Sequence, residues 1–182
     1  MAAEVCDTRA VAESPASAVT IRRAFPEDAA AIAAVLEVIT RERVHSAIDR
    51  AWTVDEERCY LESLSPREAI HAAVDDVYGI VGLQSLDRWS PALESMAHVG
   101  QVGTFLLPEW RRRGVGHRLW SATVDFARGA GYRKFVIQVR GSNTAAQAFY
   151  HRLGFRACGR LARQVVIDGA EDDEMLMEFL LP

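Results

Sequence analysis

The sequence predicts a mixed α/β domain in the order β-α-α-β-β-β-α-β-α-β-β, a mixed sheet with helices on both faces. Three observations carry this. Lys134–Val139 (KFVIQV) is an almost unbroken apolar run of strand length, the pattern of a strand covered on both faces. Asp75–Asp76 and Asp168–Gly169 separate strand-like runs at hairpin spacing. Leu106–Leu119 (LLPEWRRRGVGHRL) follows the apolar run Val102–Leu107 and leads into an amphipathic one, which reads as strand, Gly-rich turn and helix.

Taken in order, residues 1–18 are rich in Ala, Ser and Glu and read as a flexible lead-in. Val19–Arg23 alternates and predicts the first strand. Pro26 opens a helix where proline is tolerated, with Glu27 and Asp28 in its first turn and Ile32, Val35, Leu36 and Ile39 on its apolar face. Residues 40–54 are irregular. Thr53 or Asp55 caps a second helix over about 55–65, and Pro66 ends it. Ala69–Val74 and Tyr78–Leu86 form a hairpin, and 87–97 is a polar surface loop. His98–Leu107 is a long strand interrupted by Gly100 and Gly103, glycines that mark a bulge or a close approach. A helix from about Gly114 to Arg128 buries Val115, Leu119, Ala122, Val124 and Phe126. After Lys134–Val139, Asn143 or Ser142 caps a helix over Thr144–Leu153. Phe155–Leu161, Gln164–Ile167 and Met175–Leu180 are the closing strands.

Length and composition restrict the function. The chain of 182 residues fits one domain, taken as 19–182, and 49% hydrophobic with 25% charged residues is the composition of an ordinary soluble globular protein. A net charge of −4 gives no general drive toward nucleic acid or anionic membrane, so neither is expected as a partner. No apolar run approaches the ~20 residues of a membrane span. The N-terminus lacks the basic and apolar regions of a secretory signal. Cys6, Cys59 and Cys158 are scattered, which predicts reduced thiols in a cytoplasmic protein, with neither a disulfide frame nor a zinc site.

The unusual feature is charge. Arg111, Arg112 and Arg113 precede a helix N-terminus that already carries partial positive charge. An anion on the exposed N–H groups resolves the conflict, and Gly114 and Gly116 let it approach closely. The spacing is neither G-x-G-x-x-G nor a P-loop. Arg111-x-x-Gly114-x-Gly116 between strand and helix predicts a loop that wraps a pyrophosphate through successive amides.

Phe105–Gly116, with Pro108 and Arg111-x-x-Gly114-x-Gly116, resembles the acetyl-CoA site of the GNAT superfamily of N-acetyltransferases, whose signature is Q/R-x-x-G-x-G/A. Asn143–Phe155 (NTAAQAFYHRLGF) resembles the same family's N-x-x-A-x-x-F-Y-x-x-x-G-F helix. The likeness covers about 19–181; glycine is common where this chain has Arg112. It implies a GNAT-like acyl-CoA acyltransferase fold and an enzyme, a transferase that takes acetyl-CoA as donor and needs no metal. It further implies that the backbone of Phe105, Leu106 and Leu107 holds the pantetheine arm. The amides around Arg112, Arg113, Gly114, Val115, Gly116, His117 and Arg118 would hold the pyrophosphate. Asn143 would contact pantetheine or adenosine, Ala145 or Ala146 would line the groove, and Tyr150 would protonate the leaving thiolate.

The base is open. His98 is a candidate at the start of the central strand, with Glu57, Glu62, Glu94 and Glu109 as carboxylate alternatives. Asp172-Asp173-Glu174 puts negative charge near an amine or forms a solvated turn. Trp52, Trp89 and Trp110 wall an acceptor pocket or simply pack. The expected reaction is acetylation of a primary amine of a small molecule, amino-acid-like or polyamine. A protein N-terminal or lysine acetyltransferase, a non-catalytic acyl-CoA sensor and a nucleotide-binding protein are the other readings. Met175–Leu180 is apolar enough to be covered by a second copy in a homodimer, or to be an internal strand.

Overall fold

The computed structural model describes residues 19–182; the lead-in over 1–18, with Cys6, lies outside the described residues. The strands are β1 (Thr20–Arg23), β2 (Ala69–Asp75), β3 (Gly79–Arg88), β4 (Val99–Leu106), β5 (Lys134–Arg140), β6 (Arg156–Ile167) and β7 (Ala170–Leu180). The helices are α1 (Ala29–Arg41), α2 (Val54–Ser63), α3 (Val115–Gly129) and α4 (Thr144–Arg152). Among the described residues the strands form one sheet in the order β1-β2-β3-β4-β5-β7-β6. Every pair is antiparallel except β4–β5. The predicted order β-α-α-β-β-β-α-β-α-β-β is the observed one, with the two short strands placed at Phe155–Leu161 and Gln164–Ile167 merged into β6. No helix among the described residues is long and apolar enough to cross a membrane.

Local chemistry sets the helix starts. Thr53 Oγ1 accepts from the Glu56 N–H at 3.2 Å while Glu56 Oε2 accepts from the Thr53 N–H at 2.8 Å, a reciprocal cap on α2. Asn143 Oδ1 accepts from the Ala146 N–H at 3.0 Å and starts α4. The alternation of β2 divides the core. Ile70 and Ala72 face Ile32, Leu36, Ile39 and Leu61 of α1 and α2. On the other face Ala73 packs with Val115 and Leu119 of α3, and His71 Nδ1 lies 3.0 Å from Thr123 Oγ1. A third cluster, with Trp120, Phe135, Tyr150 and Phe155, joins α3 and α4 to the β5 side of the sheet.

Three expectations change. The buried stripe of α3 is Leu119, Trp120, Thr123, Val124 and Ala127; Ala122 lies off it, and Phe126 sits half-buried at its border against His71 and Arg23. The two short strands expected after Phe155 are one strand, β6, whose register slips between Leu161 and Val165 around Arg163, at φ 53. The polar stretch there is a bulge inside a strand. Finally, β7 begins at Ala170, so Asp172, Asp173 and Glu174 are strand residues and form no turn. Arg140 Nε at 2.8 Å from Asp172 Oδ2, and Arg160 on Asp173, neutralise the charges that the pattern read as a turn. β7 lies between β5 and β6, so Met175–Leu180 is an internal strand.

Candidate active site

The site is a gap in the sheet. β4 and β5 pair only at Val99↔Lys134, Gly100↔Phe135 and Gln101↔Val136. Beyond Gln101 each strand stays with its antiparallel neighbour, β4 with β3 as far as Gly82↔Leu106 and β5 with β7 as far as Arg140↔Glu174. Gln101 Nε2 donates to Gln138 Oε1 at 3.0 Å, and Gln138 Nε2 donates to Glu174 Oε2 at 2.8 Å. These bonds close the end of the ladder. The cavity that opens past them has a volume of about 810 Å³. β4 lines it with Gln101–Leu106, β5 with Gln138–Arg140, and the two following helices with Gly114, Gly116, His117, Ala145, Ala146, Phe149 and Tyr150. Residues His45–Ile48, between α1 and α2, border it as well. The Asn143 side chain pins this loop by donating to the His45 carbonyl at 2.9 Å, and Arg140 Nη1 donates to the Arg43 carbonyl at 2.6 Å.

One end of the cavity is the arginine-rich turn. Gly114 caps α3 at φ 79, and Arg112 is also left-handed, at φ 60. Among the described residues no protein acceptor takes the N–H groups of Arg112, Arg113, Gly114, Val115 or Gly116. Five adjacent open amides at a helix start suit an anion. The expected set was longer; the His117 and Arg118 amides are used, both donating to the Gly114 carbonyl at 3.1 and 3.2 Å. Gly116 has a second role: a Cβ there would come within 3.1 Å of Phe149 Cζ, so glycine lets the starts of α3 and α4 close on the cavity.

The three arginines differ. Arg111 Nε donates to the Leu106 carbonyl at 3.0 Å, and its guanidinium forms a bidentate pair with Glu42, one arm at 2.9 Å. That pair holds the Glu42 carboxyl below its usual range. Arg113 lies over the Trp110 ring, 5.5 Å from its centroid. Arg112 is exposed and carries an unfavourable backbone conformation, which explains why glycine suits this position. Arg112→Gly is expected to stabilise the fold by about 0.5 kcal/mol, the relief of left-handed strain less the greater flexibility of glycine in the unfolded chain. Urea denaturation monitored by circular dichroism checks it.

The second motif brings Tyr150 to the cavity wall. Its hydroxyl donates to Thr104 Oγ1 at 2.9 Å, and Gln84 Nε2 donates to the same oxygen at 2.7 Å. Burial pushes the Tyr150 phenol up to about 12, against the opposing effect of Thr104. Of the other expected site residues, Phe105, Leu106, Arg111, Arg112, Gly114, Gly116, His117, Asn143, Ala145 and Ala146 line the cavity. Leu107, Arg113, Val115 and Arg118 do not: the Leu107 N–H goes to the Val81 carbonyl at 3.0 Å, Val115 is in the core, and Arg118 is exposed. The Asn143 side chain is occupied at both ends, by the α4 cap and by His45.

His98 does not line the cavity. It precedes β4, its carbonyl accepts from Arg133 and Lys134, and it lies six residues, about 20 Å of extended strand, from Thr104. Glu62, Glu94 and Glu109 are exposed, and Glu57 is buried in α2 without lining the cavity. Trp52, Trp89 and Trp110 do not line it either; Trp110 is buried beside Tyr78. Sequence reasoning missed Ser85, Asp87, Gln101, Gln138 and the His45–Ile48 loop. Of these only the i, i+2 polar pair Ser85 and Asp87, following the apolar start of β3, was a readable signal. Among the described residues no group of His, Cys, Asp and Glu could hold a metal ion.

Residues 33–155 match the profile of the acetyltransferase (GNAT) family. The chain is 34% identical over 93 residues to N-alpha-acetyltransferase RimI of Mycobacterium tuberculosis, a stretch covering 51% of this chain and 54% of that protein. It is 34% identical over 58 residues to N-alpha-acetyltransferase 30 of Schizosaccharomyces pombe, covering 32% and 39%. The chain thus spans about half or less of the length of these relatives. Two solved structures share its fold. The phosphinothricin acetyltransferase of Sinorhizobium meliloti in complex with acetyl-CoA superposes at TM-score 0.82 and 19% identity, over 90% of this chain and 88% of that one. The ribosomal-protein-alanine N-acetyltransferase of Brucella melitensis superposes at TM-score 0.81 and 20% identity, over 89% and 99%.

Proposed function

This chain belongs to the acetyltransferase (GNAT) family, and from that premise we propose that it transfers an acetyl group from acetyl-CoA to a primary amine by direct attack on the thioester. The observation that carries the reading is the gap between β4 and β5, with five open amides at one end and Tyr150 on its wall. The donor fits such a site: the amides suit a pyrophosphate, and the unpaired edge of β4 suits an extended amide-bearing arm.

Acetyl-CoA supplies an already activated acyl group. The chain's own residues therefore have to bind, orient and move protons. The 112–116 amides anchor the donor. The free edge of β4 aligns it, and a β4 N–H facing the gap stabilises the oxyanion. Tyr150 supplies a proton to sulfur as the C–S bond breaks. The acceptor enters beneath His45–Ile48, a loop tied down by Asn143 and Arg140, which supports a small amine such as an amino acid or a polyamine.

The test is thiol release from acetyl-CoA across a panel of phosphinothricin, free amino acids, polyamines and Ala- or Ser-terminated peptides, with acetyl-CoA binding followed by calorimetry. Binding together with turnover of a small amine is expected. Binding without turnover of any amine overturns the enzymatic reading. Preferential turnover of peptides overturns the small-molecule half alone.

A further inference from the structure

The cavity wall holds a carboxylate without a cation. Asp87 of β3 lines the cavity on the face of the sheet that α1 and α2 cover. Tyr60 of α2 donates its hydroxyl to Asp87 Oδ1, and the Ser85 hydroxyl, on the same face of β3, lies beside the carboxylate and favours its charged form. Burial pushes the Asp87 carboxyl up, and Tyr60 and Ser85 oppose that rise. The titratable and charged groups around it are Tyr60 and, behind it, Glu57 from α2, Glu68 from the turn before β2, Tyr132 before β5, and Glu174 across the cavity on β7. Its neighbour Arg88 is turned toward Glu94, 3.8 Å away, and gives its backbone N–H to Glu68 Oε1 at 3.1 Å. No Lys, Arg or His among the described residues pairs with Asp87.

A partly desolvated carboxylate beside a cavity, held by the Tyr60 hydroxyl and by no cation, is suited to be half of an ion pair. We propose that Asp87 receives the ammonium group of the acceptor and removes its proton, with Tyr60 as the positioning residue that fixes the carboxylate. This assignment rests on acetyl transfer to an amine. Glu174 is the weaker candidate because it is committed to the Gln138–Gln101 relay that closes the ladder.

The step balances. Asp87 takes one proton from the ammonium and later gives it to solvent. The neutral nitrogen bonds to the acyl carbon, and the C–S bond breaks with its electron pair on sulfur. Sulfur takes the Tyr150 proton. The proton that the new amide nitrogen sheds restores the phenol, through solvent.

The experiment compares wild type, Asp87→Asn, Tyr60→Phe and Glu174→Gln in the full chain. Each is assayed with acetyl-CoA and two acceptors: the amine that wild type turns over fastest, and its β-fluorinated analogue, which is largely neutral at assay pH. Asp87→Asn is expected to lower kcat/KM by about 10²-fold for the parent amine and about tenfold less for the analogue, with acetyl-CoA affinity unchanged. Tyr60 holds the Asp87 carboxyl down, so Tyr60→Phe moves the acidic limb of the kcat/KM profile to higher pH. The proposal is overturned if Asp87→Asn loses equally on both amines, if that limb stays put in Tyr60→Phe, or if Glu174→Gln alone shows the dependence on amine basicity. A wild type that acetylates no amine overturns the acetyl-transfer reading itself, before any variant is compared.

Discussion

Tyr150→Phe is expected to lower kcat for acetyl transfer by about 10²-fold or more while changing acetyl-CoA affinity by no more than about twofold. The substitution removes one oxygen and keeps the ring. The ring packs 5.1 Å from Phe149 and 5.3 Å from Phe155, so α4 stays on the sheet. Thr104 keeps its second donor, Gln84. Burial, with the phenol pushed up to about 12, keeps Tyr150 loaded with its proton across neutral pH, the condition for an acid that acts on a thiolate. Steady-state thiol release with calorimetry of donor binding makes the measurement. A kcat within about threefold of wild type would transfer the acid role to water.

Phe135→Ala is expected to cost about 3–5 kcal/mol of stability. Phe135 is fully buried at the start of β5, between Trp120 at 5.2 Å, Tyr132 at 6.4 Å and Phe179 at 6.2 Å. It stands opposite Gly100, in the middle of the short ladder joining β4 to β5. A cavity there loosens the aromatic cluster and the one ladder that fixes the gap. Urea titration should show a lower midpoint with an unchanged slope.

Much of this architecture was legible in the sequence because it rests on local signals. The Thr53 and Asn143 caps, the glycines of the turn before α3 and the apolar run of β5 each declare themselves within a few residues. The arginine-rich end of the cavity was legible for the same reason: its amides and glycines are consecutive. The opposite wall of the cavity was not. Asp87, Gln101, Gln138 and Glu174 come from four strands and meet only because β4 and β5 part company, a property of pairing that no single segment encodes. His98 shows the converse: it stands next to a strand that lines the cavity, but at the end away from it. Arg111 also needed the fold: its partner Glu42 is 69 residues away. The β6 bulge and the acidic start of β7 misled the reading because Arg140 and Arg160, which make strand residues of Asp172 and Asp173, are also remote in sequence.

The short β4–β5 ladder also has a thermodynamic consequence. Three residue pairs connect the half of the sheet made by β1–β4 to the half made by β5–β7. A molecule that lies in the gap and bonds to both sides adds rungs that the folded chain lacks and the unfolded chain cannot form. Its binding free energy is then folding free energy, about 2.7 kcal/mol at a concentration a hundred times Kd. Amide exchange should slow on both sides of the gap together, because occupancy couples the opening of the two half-sheets.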